Sequence, residues 1–94
     1  MQVKFDIKYE RSKKKIAKRI SILKIEQTED LFKSDPFHPK LELKSIVCRR
    51  DKNKKSIRVI GNEGFRILIS IRDEVAYFQD IVDHDKYDRM TKDC

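Results

Sequence analysis

The chain has 94 residues, of which 41% are charged and 38% hydrophobic, with a formal net charge of +7. A chain of this length buries about 60–65% of its unfolded surface, enough for one core, and its periodic Ile, Leu, Val and Phe runs exclude disorder throughout; a single domain over 1–94 is expected. The positive field favours polyanions such as RNA, DNA, anionic lipid or an acidic protein, while no apolar run approaches the roughly 18 residues of a membrane span or forms a signal-peptide core, so a soluble cytoplasmic protein without membrane contact is expected.

Val3, Phe5, Ile7 and Tyr9 alternate with Gln2, Lys4, Asp6 and Lys8, which predicts a half-buried opening strand. Ile16, Ile20, Leu23, Leu31 and Phe32 then recur at helix-compatible spacing with no Gly or Pro to interrupt, as one long helix or two short ones. Asp35-Pro36 and His38-Pro39 stop the helical stretch, because proline breaks the hydrogen-bond ladder and disfavours helical geometry in the residue before it. Four strand-like runs follow, at 41–48, 56–60, 65–71 and 75–82, joined by short polar links that suit antiparallel hairpins. In "FRILISI", Phe65, Ile67, Ile69 and Ile71 share one face, and Arg66, Leu68 and Ser70 share the other. The expected fold class is α+β: an N-terminal strand and one long or two short helices, packed on a twisted antiparallel sheet of four to five strands.

Charge is unevenly placed. The segments 11–19 and 49–58 each hold six basic residues, whereas 72–85 holds five carboxylates and one arginine. Lys13, Lys14, Lys15, Lys18 and Arg19 suit a phosphate backbone by charge alone, a contact without sequence information, and equally suit the solvated face of an amphipathic helix. Arg49, Arg50, Lys52, Lys54 and Lys55 form the second basic cluster and are assigned to RNA binding with the first. Cys48 and Cys94 belong to no CxxC or Cys/His spacing, so neither a disulfide framework nor a zinc site is expected.

Arg58 and Arg66 flank the "GNEG" link. If their strands pair, both guanidiniums reach one phosphate, and their fixed donor forks suit a phosphoryl-transfer transition state; the alternative is a pair of solvated arginines on a sheet face. His84 and Tyr87 follow the last strand three residues apart, adjacent on a helix turn or compact loop, and can serve as a proton-transfer pair or as a cap with a tyrosine over the core. Asp83 and Asp85 flank the histidine and can orient it. His38, fixed between Pro36 and Pro39 with no candidate partner, reads as structural or solvent-facing. There is no GxGxxG, P-loop, HExxH or nucleophile elbow, so any chemistry is expected without cofactor or metal.

Three segments, "DPFHPKLELKSI", "SIRVIGNEGFRILISI" and "IVDHDKYDRM", resemble in order the connection, hairpin and ending of the RelE/ParE superfamily of toxin-antitoxin toxins, including HigB-like members. They cover about 35–90, while 2–33 agree only in order and character. The resemblance implies a RelE-like, microbial RNase-like fold and, for RelE-type and HigB-type toxins, endonucleolytic cleavage of mRNA on the ribosome by metal-independent 2′-hydroxyl attack. It implies that Arg58 and Arg66 hold the scissile phosphate, and that His84 and Tyr87 supply acid/base and stacking groups. Lys52, Lys54 and Lys55 stand for the lysine-rich patch, and a cognate antitoxin is the protein partner. Two other readings stay open: a ParE-like inhibitor of DNA gyrase, against which the His/Tyr ending argues, and a catalytically silent antitoxin-binding member.

Overall fold

A computed structural model describes residues 1–62, 64–92 and 94. Strand β1 (Gln2–Phe5) is shorter than the alternation predicts, because helix α1 (Ile7–Ile16) begins two residues later. Tyr9 and Ile16, two turns apart on one helical face, are buried, while Ile7 is 72% exposed. The alternate residues past Phe5 thus belong to a helix whose inner face selects Tyr9 and rejects Ile7. The helical stretch divides into two, since α2 (Ile22–Ser34) starts after a turn and buries Ile25, Thr28, Glu29 and Phe32 on the i, i+3, i+4, i+7 stripe. It ends immediately before Asp35-Pro36, as expected.

Beyond a 3₁₀ turn (Pro39–Leu41), the strands are β2 (Lys44–Ser45), β3 (Lys54–Arg58), β4 (Phe65–Arg72) and β5 (Val75–Asp83), followed by helix α3 (His84–Lys92). The sheet runs β1-β5-β4-β3-β2, and β1 pairs parallel to β5 while the other pairings are antiparallel. The sheet is therefore mixed, correcting the all-antiparallel expectation: β1 and β5 are linked through α1, α2 and the intervening strands, and such a crossover permits parallel pairing. Only two residues of the predicted 41–48 strand pair, because Leu41 closes the 3₁₀ turn and Glu42 takes a left-handed backbone, φ 44°. The β4–β5 hairpin turns on Asp73 and Glu74, both at positive φ, which matches a two-residue turn suited to sheet twist. In the β3–β4 link Gly61 adopts φ 73°, and Glu63 of "GNEG" lies outside the described residues.

The two faces of β4 separate as predicted. Ile57, Ile67, Ile69 and Phe78 pack with Tyr9, Ile25 and Phe32 beneath the helices, and Phe78 lies 5.4 Å from each of the Phe5, Tyr9 and Phe32 rings. A smaller cluster on the other face joins Ile46, Cys48, Leu68 and Val82 to Tyr87 and Met90 of α3 and to Cys94. One register shift between Leu68 and Ile69 leaves Gln79 as the extra residue of β5, a bulge that re-aims side chains locally. Cys48 and Cys94, whose spacing gave no expectation of a disulfide framework, form a disulfide across 46 residues of chain, because α3 folds back and lays Cys94 beside Cys48. Among the described residues no helix is long and apolar enough to cross a membrane.

Candidate active site

Arg58 and Arg66 are direct cross-strand partners on β3 and β4. Alternation places them with Ser56, Leu68 and Ser70 on the sheet face away from α1 and α2. Arg66 is 7% exposed. Its Nε donates to Ser56 Oγ at 2.9 Å, and its Nη2 donates to the Glu42 carbonyl at 2.7 Å and to the Ser56 carbonyl at 3.3 Å. Its guanidinium carbon lies 5.5 Å from the centre of the Tyr87 ring, and Ser56 Oγ donates to the Tyr87 hydroxyl at 3.3 Å. Burial pushes the Arg66 pKa down, opposed by Tyr87 and Glu42; a guanidinium nevertheless stays charged across the physiological range.

Glu42 serves both arginines. Its backbone carbonyl accepts from Arg66 while its carboxylate meets Arg58 Nη1 at 2.6 Å. The left-handed conformation that keeps Glu42 out of the predicted strand thus also shapes the site.

Helix α3 completes the arrangement. The Asp83 carboxylate accepts from the Lys86 backbone N–H at 2.9 Å, the standard geometry of an N-cap aspartate, and from Arg19 at 3.1 Å. The Lys86 N–H, then Arg19, hold the Asp83 carboxyl below its ordinary range. From this start Tyr87 and Met90, one turn apart, face the sheet. His84 does not join them: its side chain is 70% exposed and pairs with Asp88 at 3.5 Å along the outside of the helix.

Between α3 and β3–β4 runs a groove lined by Leu68, Met90 and the Cys48–Cys94 disulfide and by Arg50, Lys54, Lys86 and Arg89, four cations against the one carboxylate of Asp51. Lys54 Nζ donates to Gln79 Oε1 at 2.5 Å, and desolvation lowers its pKa. An apolar lining beside cations suits a base with its phosphate, the base stacking and the cations meeting charge.

The predicted basic residues take several roles. Lys13 turns inward to Glu29 at 3.1 Å, beside the Tyr9 hydroxyl, which donates to the same carboxylate at 2.6 Å. Lys14, Lys15 and Lys18 are exposed on α1 and the turn after it, and Arg19 stacks 5.0 Å from the Phe65 ring while binding Asp83. Arg49, Arg50 and Lys52 are exposed before β3, and Lys55 donates to Ser45 Oγ at 3.1 Å. His38 accepts the Lys40 N–H and caps the 3₁₀ turn, the structural role expected of it.

Ser56, Glu42, Gln79, Lys86 and Arg89 also belong to the site and carried no obvious sequence signal. Ser56 was within reach, since alternation puts it between Lys54 and Arg58 on one face. Gln79 depends on the bulge and Glu42 on a backbone reversal.

No family model and no curated protein matches the chain in sequence. Its structure is similar to solved toxins. One chain of the Escherichia coli DinJ-YafQ toxin-antitoxin complex matches with a TM-score of 0.74 at 14% identity, over 90% of this chain and 93% of that chain. One chain of the Mycobacterium tuberculosis toxin-antitoxin complex RelBE2 matches with a TM-score of 0.65 at 19% identity, over 88% and 96% respectively. A metal-bound toxin from Helicobacter pylori matches with a TM-score of 0.69 at 10% identity, over 92% and 97%. The chain has the fold of these toxins, as its sequence resemblance implies.

Proposed function

We propose that this protein is the toxin of a type II toxin-antitoxin pair and an endoribonuclease that cleaves mRNA on the ribosome by 2′-hydroxyl attack, its activity held in check by a cognate antitoxin. The observation that carries the reading is the opposed Arg58–Arg66 pair with Tyr87 over it, beside a groove of apolar and basic lining. Two guanidiniums across one strand pair match the charge that accumulates on a phosphorane, and the toxin fold supplies the biological context.

In this reading the nucleotide base lies on Leu68 and Met90, and the phosphate meets Arg66 and Arg58 as Glu42 and Tyr87 give way. A base removes the 2′-hydroxyl proton, the 2′-oxygen bonds to phosphorus, and the 5′-oxygen leaves with a proton, giving a 2′,3′-cyclic phosphate and a 5′-hydroxyl. Lys54, which lines the groove and whose pKa desolvation lowers from the ordinary lysine value, is assigned as the proton acceptor. Tyr87 is the group nearest Arg66 that can deliver a proton, and His84 acts from the helix exterior on RNA that reaches its rim. Lys14, Lys15, Lys18, Arg49 and Lys52 supply sequence-independent backbone contacts.

The test is induced expression with mapping of mRNA 5′ ends, followed by cleavage of a defined mRNA on purified ribosomes. New ends carrying 5′-hydroxyls, abolished by a 2′-deoxy substitution at the scissile nucleotide, support the reading. Intact mRNA with induced DNA damage would instead assign a gyrase inhibitor, and no growth defect at all a silent antitoxin-binding member.

A further inference from the structure

The disulfide joins two parts of the molecule that meet at the candidate active site. Cys48 lies in the loop after β2, on the face that carries Arg66, and Cys94 lies two residues beyond α3. Helix α3 brings no fully buried residue to the fold; it rests on half-buried Tyr87 and Met90. A helix of nine residues is marginal in water without tertiary support. It is therefore held at its start by the Asp83 cap and the continuous chain from β5, and at its end by the Cys48–Cys94 bond.

What α3 covers is the buried guanidinium. The Tyr87 ring sits over Arg66, and the Arg66 Nε and Nη2 donors are taken by Ser56 and Glu42, leaving the residue 7% exposed. A phosphate oxygen that approaches Arg66 from the side of α3 meets the Tyr87 ring, and Tyr87 is carried by that helix.

We propose that Cys48 and Cys94 form a reversible redox-modification site whose oxidised state latches α3 over Arg66 and whose reduced state exposes it. The reductant is a dithiol. Its two thiols give two electrons and two protons to the Cys48–Cys94 bond, which becomes two thiols, while the dithiol closes to a disulfide of its own; the reverse exchange, with that small disulfide as the oxidant, restores the Cys48–Cys94 bond and returns the dithiol. The reduced helix then hangs from its Asp83-capped start with a loosened end, and Arg66 and the groove open to an anionic ligand. Identifying that ligand as RNA rests on the function proposed above; the latch itself does not.

The experiment compares the full chain, air-oxidised and treated with dithiothreitol, with thiol content confirmed by mass. Phenylglyoxal, which modifies accessible guanidiniums, should label Arg66 about tenfold faster in the reduced protein, as read by peptide mapping. Amide exchange over 84–92 should accelerate by a similar factor while β4 and β5 stay protected, and Cys94→Ser and Cys48→Ser should behave as reduced with or without dithiothreitol. Unchanged Arg66 labelling after complete reduction overturns the proposal. So does loss of protection in β4 and β5 together with α3, which would make the bond a brace for the whole fold. RNA cleavage is measured in parallel: labelling that responds to reduction while neither form cuts RNA upholds the latch and removes the endoribonuclease reading instead.

Discussion

Replacing Arg66 tests the candidate site and the structure together, and Arg66→Met is the informative change because its unbranched side chain refills most of the stem volume under Tyr87. The substitution deletes three hydrogen bonds from a charged donor, at 2.9, 2.7 and 3.3 Å. Ser56 is fully buried, so its hydroxyl, which keeps the Tyr87 contact, and its carbonyl lose the Arg66 donor without gaining water, whereas Glu42 is exposed and its carbonyl rehydrates. A charge-assisted bond contributes about 1.5–3 kcal/mol and an orphaned buried acceptor costs about 1–3 kcal/mol, terms that overlap instead of adding. The desolvation of the guanidinium is relieved at the same time, which offsets part of the loss. The net expectation is a destabilisation of about 2–4 kcal/mol, or a fall in Tm of roughly 10–25 °C for a domain of this size. Typical stabilities of about 5–15 kcal/mol leave the variant folded at 25 °C, so cleavage assayed there reports on chemistry. Activity should drop at least about a hundredfold, the scale on which loss of one transition-state donor acts. Arg66→Lys keeps the charge but offers one point donor to acceptors that a fork spans, so it should recover part of the stability and little of the rate. A Tm change under about 3 °C for Arg66→Met would refute the bonding argument, and cleavage within twofold of the parent would refute the role at the phosphate.

Lys13→Ala should destabilise the protein by about 1–3 kcal/mol because it strips one partner from the Glu29 carboxylate, while Lys14→Ala and Lys15→Ala should stay within about 0.5 kcal/mol; urea unfolding decides, and equal effects at all three positions would count against the inward turn of Lys13. Tyr9 is raised above its ordinary 10.0 by burial, then by its bond to the Glu29 carboxylate and that group's charge. The neutral form is the one the fold favours, so its contribution is complete below the unfolded pKa and is lost as pH rises above about 10, at about 1.4 kcal/mol per pH unit. Unfolding followed from pH 8 to 11.5 should show this slope in the parent and a shallower one in Tyr9→Phe; identical slopes would remove Tyr9 as its source. Asp83 is shifted the other way, so its support of α3 is present above the ordinary carboxylate pKa and disappears as pH falls through the lowered value. Amide protection of residues 84–92, corrected for intrinsic exchange, should therefore weaken below pH 4 and be weak already at pH 7 in Asp83→Ala, an outcome that a helix held only by Tyr87 and Met90 would not give.

The sequence was most informative where one element decides its own residues. The period of two in 65–71 survives intact in β4, because each side chain there has one of two faces to occupy and the apolar face lies under the helices. The same period misleads at residues 7–9, where Ile7 and Tyr9 continue it by coincidence and the burial of Tyr9 against Phe78 settles the matter for a helix. Pairing between β1 and β5 had no local signature, since the residues that make it parallel are the whole crossover of α1, α2 and β2–β4. The disulfide was hidden for a similar reason: spacing rules detect cysteines close in sequence, and these are 46 residues apart until α3 folds back.

The site divides along the same line. Arg58 and Arg66 were legible as a pair because a hairpin brings residues together by counting from its turn, and the register sets them directly opposite. Glu42 was not, although it binds both, because its part depends on a left-handed residue after the 3₁₀ turn. His84 and Tyr87 looked equivalent at three residues' spacing, yet the sheet takes only Tyr87, which continues with Met90 into the apolar cluster, and leaves His84 to Asp88 on the outside. Net charge was the least specific guide. Lys13 stabilises the interior through Glu29, Arg19 steadies the start of α3, and Lys54 is partly desolvated in the groove, while Lys14, Lys15 and Lys18 stay in solvent. Weakening an exposed lysine should thus change RNA affinity and its salt dependence, and weakening a paired one should change the fold first; the two groups have the same charge and differ only in what the chain packs around them.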